Sequence, residues 1–564
     1  MKPHLYLLFL VFLLNPFWSE AQTTYLPLHS PEEHLLERIE VKSGIISPYF
    51  FEFRPISRKD AIDYIEEQRV NILHGDLTLT RQDQYQVQRA KSISSEWSET
   101  ADGLDAAVPS KRPILRYFYQ VQPDMIHVHT DNFFLVVNPV VYTEAIKEKD
   151  VDKIGYINTR GIEFRGRILN KIGFYTMMAD DQERPFSYVQ SFERQFHTYP
   201  GMTFYGRSET GNYDFFMAKG YLDASLFHDR LNITFGYDQN FSGVGMRSLI
   251  NSDYAPPATF LRLRTHWHRW GYQSLFLQLT ADYANMYGSH RLEQKYAAIH
   301  QLGYQARPWL NIGLFESSVF AGVDNLKATD LVPVIGYQTL ARSLGAEQKT
   351  SLGLWFKAIA LRHFQFYGQA YLDRLDLSKL SDNDWWGNQF AVQLGGKYFD
   401  AFTVSNLDLQ GEVNYVRPFT YMTSGDNADY THFNQPLAEP YGAGFAEIIG
   451  HIDYNPINKL YVQAKASFSV RGTENTAQES NGVDILKNED TRTSNMVEGW
   501  IPGINRKALY LNLNLAYEIR PNLFLEGGLT KWQWQISGEK TNTNMLGLYG
   551  GLRWNISRKE YDSY

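Results

Sequence analysis

Cysteine is absent from all 564 residues. That excludes a disulfide scaffold, a thiolate metal site, a cysteine nucleophile and thiol lipidation. Beyond position 21 the chain also lacks any apolar run of the roughly 18 residues that a membrane-spanning helix needs. An excess of one charge is missing too. Lys and Arg number 54 against 62 Asp and Glu, a net −8 without long runs of either sign, which argues against nucleic acid as a partner. What is plentiful is aromatic: 37 Tyr, 35 Phe and 12 Trp, or 15% of the chain. Length alone suggests three or four domains of about 150 residues, a prior that closed β-barrels break.

The amino terminus reads as an export signal. Lys2 supplies the positive end, Leu5 to Leu14 (LYLLFLVFLL) an apolar stretch too short to span a bilayer, and Ser19-Glu20-Ala21 the small residues for cleavage before Gln22. Residues 1–21 are therefore assigned to a signal peptide. An exported, cysteine-free, aromatic-rich chain with no second apolar span fits the outer membrane of a Gram-negative envelope.

Helical punctuation follows. Ser30-Pro31-Glu32-Glu33 predicts an N-cap with a capping box, Leu35, Leu36 and Ile39 continue at helical spacing, and Gly44 sits where a left-handed cap is needed. Ser57 with Asp60 marks a second start, and Thr80 with Asp83 a third that runs through Tyr85 towards Trp97. The polar stretch from Ser98 to Lys111, holding Gly103 and Pro109, predicts a boundary. Residues 22–105 are assigned to a periplasmic helical segment and 106–564 to a second region.

In that region the hydrophobic period changes from 3.6 to 2. Leu509, Leu511, Leu513, Leu515, Tyr517 and Ile519 alternate with Tyr510, Asn512, Asn514, Ala516 and Glu518. Leu460 to Val470 alternates against Tyr461 to Arg471, and Leu546, Leu548, Leu552 and Trp554 against Tyr549 and Arg553. Runs of about 10 to 12 residues, apolar on one face and polar on the other, suit tilted membrane strands better than a soluble sandwich. No lipid-facing edge can stay unpaired, so such strands close. Tight turns at Asn455-Pro456-Ile457-Asn458 and Arg520-Pro521-Asn522 flank a long polar segment near 472–506, predicting periplasmic turns and external loops. The fold expected is an all-β transmembrane antiparallel barrel of about 18 strands. The helical segment is expected on the periplasmic side or plugging the lumen.

Catalytic motifs are missing: no HExxH, GxSxG or phosphate loop, hence no catalytic residue and no cofactor to assign. The pairs His127/His129 and His266/His268 each share a strand face but have no visible third ligand, so no metal is assigned. Arg262, Arg264, His266 and His268 point opposite to Leu261, Leu263 and Trp267, and Arg165 and Arg167 oppose Phe164 and Ile168. These inward cations are candidates for an anionic polymer, or else pair with luminal carboxylates such as Glu163 to hold the wall. Trp385 and Trp386 after Asp382-Asn383-Asp384, with Tyr421 and Tyr430, are candidate external aromatics for stacking on sugar rings. Girdle anchoring or loop packing is the simpler role for them.

The order of segments resembles the capsule-assembly Wzi-type outer-membrane family, in particular its Bacteroidota branch with RemB-like gliding-motility proteins. The residues that carry it begin with Leu26-Pro27-Leu28, His34-Leu35-Leu36-Glu37-Arg38 and Arg54-Pro55-Ile56-Ser57-Arg58. Asn158-Thr159-Arg160-Gly161, Phe235-Gly236-Tyr237-Asp238, Gly243-Val244-Gly245 and the segment Ser248 to Pro257 (SLINSDYAPP) follow. His300-Gln301-Leu302, Glu412-Val413-Asn414, Arg417-Pro418-Phe419-Thr420-Tyr421, Tyr430-Thr431-His432, Gln435-Pro436-Leu437 and Gly442 complete the series. Phe241-Ser242-Gly243 departs from the family pattern, where a tryptophan would precede the glycine. The resemblance implies an 18-stranded barrel plugged by helices, non-enzymatic, that holds surface or capsular polysaccharide at the cell surface. For the gliding branch it implies adhesion or motility, with motility or export machinery as further partners. A diffusion porin is the remaining reading of so wide a barrel.

Overall fold

The computed structural model describes residues 23–98, 108–111, 117–169, 171–208, 211–227, 229–281, 293–322, 327–343, 348–379, 384–424, 428–474, 476, 478–497, 499–538 and 542–563. The export signal at 1–21 and the boundary near 105 lie outside them.

Three helices form where the caps predict them: α1 (Pro31–Ser43), α2 (Arg58–His74) and α3 (Arg81–Ile93). Ser30 accepts the Glu33 N–H at 3.4 Å, but the Glu33 carboxylate reaches one residue further back, to the His29 N–H at 2.9 Å. The complete capping box is at α3, where Thr80 and Asp83 exchange bonds of 3.0 Å in both directions. Gly44 ends α1 at φ 76°, a left-handed conformation that side chains resist. Leu35, Leu36 and Ile39 pack with Ile62, Tyr64, Ile65 and Ala90 into one small core.

Eighteen long strands close into an antiparallel barrel. In chain order they begin β1 (Phe133–Glu148), β2 (Gly155–Ile168), β3 (Ile172–Arg184), β4 (Tyr213–Leu226), β5 (Leu231–Asp238) and β6 (Ala258–Trp267). Next come β7 (Trp270–Thr280), β8 (Gln294–Arg307), β9 (Leu310–Ala321), β10 (Lys349–Ala360), β11 (Phe364–Arg374) and β12 (Gln389–Tyr398). The last are β13 (Leu407–Val416), β14 (Phe445–Ile457), β15 (Leu460–Arg471), β16 (Arg506–Arg520), β17 (Leu523–Ile536) and β18 (Asn542–Trp554). The first and last strands pair, with Trp554 opposite Val141 and Gly547 opposite Glu148, so the long strands leave no open edge. Short strands such as Ile126–Thr130, beside β1, attach at the rims.

The connections are strongly unequal. At one end they take two to eight residues, as at 268–269, 308–309, 458–459 and 521–522. At the other they run to 28 residues (185–212 and 417–444) and 34 residues (472–505). The turn expected at 455–458 lies slightly later, because β14 continues through Pro456 by a register shift between Tyr454 and Ile457. Outward positions are apolar and exposed on strand after strand, for example Leu314, Leu354, Leu394, Ile448, Phe468 and Leu548. Water offers no solvent for such a belt and lipid does. Trp267, Trp270 and Trp309 crown it at the tight-turn end, an interfacial girdle. This is an outer-membrane barrel, with its tight turns on the periplasmic side.

The helical segment sits inside the tight-turn end. The Ile46 N–H donates to the carbonyl of Pro308, Thr80 to Asn406, and Gln82 to the carbonyl of Pro456, each a contact at the tight-turn end of the barrel. Ten of the 13 residues of α1 are buried, charged ones included. An inward polar wall selects a plug with a polar surface, and the contacts are ionic. Glu40 meets Lys357 of β10 at 2.5 Å, Glu37 meets Lys397 of β12 at 2.6 Å, and Arg89 meets Glu518 of β16 at 2.8 Å. Arg38 binds Asp83, Asp400 and Asp408 together at 2.8, 2.9 and 2.5 Å. Burial alone would raise the Glu37 carboxyl, but Lys397 and Arg54 outweigh it and hold it down to about 2. Asp83 is likewise held well below the usual carboxylate range, Arg38 and Lys42 overcoming its burial.

Candidate functional site

The inward cations anticipated from alternation are largely where the pattern puts them, and they are occupied. Arg165 pairs with Glu96 beside α3, donates to the Ile93 carbonyl at 2.6 Å, and lies 5.3 Å from the Phe134 ring. Arg167 stands 4.9 Å over Trp97. Arg262 is 1% exposed; it bonds Asn240 at 2.8 Å and covers the Tyr25 ring at 4.3 Å. Arg264 bonds Gln273 at 2.7 Å and the Pro55 carbonyl at 3.2 Å. These arginines clamp the helical plug to the wall. His266 meets Tyr49 edge-on at 5.7 Å and lines a periplasmic cleft of about 390 Å³ with Lys59, Asp60 and Asp63. His268 is not luminal. It sits exposed in the tight turn after β6 at φ 52°, because the strand ends at Trp267 and alternation ends with it.

The anticipated external aromatics divide. Trp385 is half-buried and bridges to Met496; Trp386 donates its backbone N–H to the Asn495 carbonyl at 3.1 Å, with the Arg492 guanidinium 3.6 Å from its ring centre. Both tie the 375–388 loop to the long 472–505 loop. Tyr421 and Tyr430 are not exposed at all, at 1% each. Their loop turns inward through positive φ at Phe419 and Tyr421, their rings stack at 5.5 Å, and their hydroxyls donate to the carbonyls of Leu249 and Ile250 at 2.9 and 2.6 Å.

Two segments that strand and helix periodicity do not flag fill the middle of the lumen. One is the loop between β5 and β6. Gly243 takes φ 133° with Gln369 so near that a Cβ would meet its amide nitrogen at 2.3 Å, and this lets the loop lie against β11. Glu412 of β13 then accepts the N–H groups of Met246 and Arg247 at 2.7 and 3.1 Å, and Arg247 grips Glu447 of β14 with two nitrogens. Phe241, where the family pattern has tryptophan nearby, is buried under Arg54 and pairs with the plug's Phe53–Arg54 strand. The other segment is 555–563, which turns back from β18 into the barrel. Lys559 pairs with Asp181 and Glu183, and Asp562 with Arg247 at 3.1 Å and with Lys465. The dense mix of charges in Arg558-Lys559-Glu560-Tyr561-Asp562, two cations followed by two acids, is the one signal in the sequence for it. Inward side chains such as Lys357, Gln365, Gln393, Asn414 and Glu447 are consequently sealed from solvent on strand after strand.

Above this filling, at the long-loop end, a cleft of about 360 Å³ opens. One wall is α4 (Ser187–Phe196), with Tyr188 stacked on Trp532 at 5.2 Å and Phe192 lining the opening. The other walls are Tyr441, the loop residues Val483 to Leu486, and the inward ends of three strands carrying Arg471, Arg506 and Trp534. Arg506 lies 4.3 Å over the Trp534 ring and Arg471 6.0 Å from that of Tyr441. Flat rings, cations and backbone groups converge here on one opening at the cell-surface side. Sequence reasoning misses it because its parts come from three separate loops and three strands.

No protein-family model matches the chain, and no curated sequence does. Solved structures do. Wzi of Escherichia coli, described as an outer-membrane protein involved in group 1 capsule assembly and a carbohydrate-binding β-barrel, aligns over 95% of this chain and 100% of its own at 10% identity and TM-score 0.55. OprD of Pseudomonas aeruginosa aligns over 74% of this chain and 94% of its own at 11% identity and TM-score 0.41. OccAB2 of Acinetobacter baumannii aligns over 74% and 98% at 11% identity and TM-score 0.40. The chain shares the barrel fold of Wzi over 95% of its length.

Proposed function

We propose that this chain is a non-enzymatic outer-membrane barrel that binds surface polysaccharide and supports its assembly or attachment at the cell surface. The observation that carries the reading is the aromatic-walled cleft at the external mouth of a barrel whose lumen is filled. Aromatic faces and hydrogen-bonding loop groups are what a sugar ring needs. The likeness in fold to a carbohydrate-binding barrel supports the reading. A diffusion porin fits less well, since its inward polar side chains would be wetted, and here they are buried.

Deleting the gene and measuring the ratio of cell-bound to released polysaccharide tests this. A shift towards released polymer, with synthesis unchanged, is expected. An unchanged ratio overturns the reading and favours the RemB-like alternative of adhesion or gliding, for which spreading on agar is the assay.

A further inference from the structure

Inside the external cleft, Arg471 and Arg506 are directly opposed partners on β15 and β16 and both side chains point inward. Like charges facing each other across two strands destabilise a sheet. Many other cations of this lumen, Lys357, Lys397, Arg247 and Lys559 among them, meet a carboxylate. Among the described residues the side chains of Arg471 and Arg506 have neither an ion pair nor a hydrogen bond, and the rings of Tyr441, Trp532 and Trp534 lie beside them. The nearby acids Asp484, which also lines the cleft, and Glu474 attract Arg471 through space without forming an ion pair with it, and their hydrogen bonds go to their own loop. Glu474 accepts the N–H groups of Val483 and Asp484 at 3.1 and 2.8 Å, and Asp484 accepts that of Leu486 at 3.2 Å. Two guanidinium forks thus border an open cleft with their planes beside rings.

We infer that the cleft is a subsite for an anionic sugar unit, its acidic group held between Arg471 and Arg506 and its ring laid against Trp534 or Tyr441. A guanidinium stays charged at any physiological pH and matches carboxylate, sulfate or phosphate oxygens with two parallel donors. The bound anion removes the repulsion between the arginines, so binding relieves a cost that the free protein carries. The inference rests on the polysaccharide reading and narrows it to acidic polymers.

The test is isothermal titration of the full-length barrel in detergent with oligogalacturonate, with its carboxyl-reduced neutral counterpart, and with the cell's own surface polysaccharide. The R471Q/R506Q variant is the comparison, with unchanged heat-modifiable gel mobility as the check of folding. The acidic oligomer is expected to bind at least about tenfold tighter than the neutral one, to lose that factor in the variant, and to weaken as salt rises. Equal binding by wild type and variant overturns the inference. If the cell's polysaccharide binds wild type and variant alike, the inference falls and the function stands. If oligogalacturonate binds through the arginines but the cell's polymer does not bind, the site stands and the function falls. Arginine-dependent binding of the cell's polymer that survives carboxyl reduction supports the site and assigns the charge to sulfate or phosphate.

Discussion

Lys357 and Glu40 meet at 2.5 Å with neither side chain reached by solvent, and Glu52 completes the contact at 3.4 Å. Removing one member of such a pair strands the other charge where water cannot reach it, a loss on the order of 3–5 kcal/mol. Lys357→Met is therefore expected to loosen the helical plug, read as faster trypsin cleavage within residues 58–93 of the folded barrel. Adding Glu40→Leu should restore most of the protection; a double variant as sensitive as the single would show that the pair is not the anchor. Arg471 and Arg506 have the opposite relation to stability. Replacing either with Gln removes a cross-strand repulsion and should leave the thermal midpoint unchanged or raise it, by an increment of about 0.2–1 kcal/mol. At this scale the sequence is informative about direction and silent about partners. Alternation shows that Arg165, Arg262 and Arg264 face inward, because side-chain direction follows from the strand alone. That they are consumed by Glu96, Tyr25 and Pro55 depends on the plug, roughly 200 residues or more away in the chain for the last two.

The helices are legible for the reason that the partnerships are not: a cap is made within four residues. Thr80 closes the box at the start of α3 and its hydroxyl also donates to Asn406 at 2.8 Å. Thr80→Ala is expected to cost about 1 kcal/mol, with the wall contact adding to the lost cap, measurable as earlier proteolysis of the plug in a urea series. Acid should act on the same element through Glu37. Its carboxyl lies at about 2 in the folded protein against an ordinary 4.5, so its stabilising share is complete above pH 4.5 and is lost as pH falls towards 2. Protection of the plug, probed with an acid-tolerant protease such as pepsin, should persist at pH 5 and fade through that window, and Glu37→Gln should flatten the dependence. Strands are as legible as helices, since a period of 2 sustained over 10 or more residues fits neither a helix nor an irregular loop. The loop at 239–257 and the tail at 555–563 are not. Nothing local distinguishes a loop that folds into a lumen from one that faces water, and for the same reason Tyr421 and Tyr430 read as surface residues until the loop that carries them is seen to turn inward.

For the molecule as a whole, the question is what so wide a barrel does with its interior. Eighteen strands enclose room for an aqueous channel. This chain fills the room with insertions from different parts of the sequence, and besides the inward-turned 417–444 loop three stand out: the helical plug at the periplasmic end, the 239–257 loop across the middle and the 555–563 tail rising beside it. Each is fixed by ion pairs or charged hydrogen bonds to a different set of strands, α1 to β10, β12 and β13, the loop to β13 and β14, the tail to β3 and β15. Opening a path therefore requires breaking several independent buried contacts at once, and thermal motion at neutral pH does not supply that. In a planar bilayer at pH 7 the intact protein is expected to show little steady conductance. As pH falls from about 4.5 towards 2 the plug loses the stabilisation that ionised Glu37 supplies, with the more strongly depressed Asp83 giving way later, so conductance should rise in steps as pH approaches 2. Lys357→Met should move that rise to higher pH by removing one bolt in advance. A large ohmic conductance at pH 7 in the wild type would mean that the insertions leave a wetted passage, and transport would then displace polymer binding as the reason for the barrel's width.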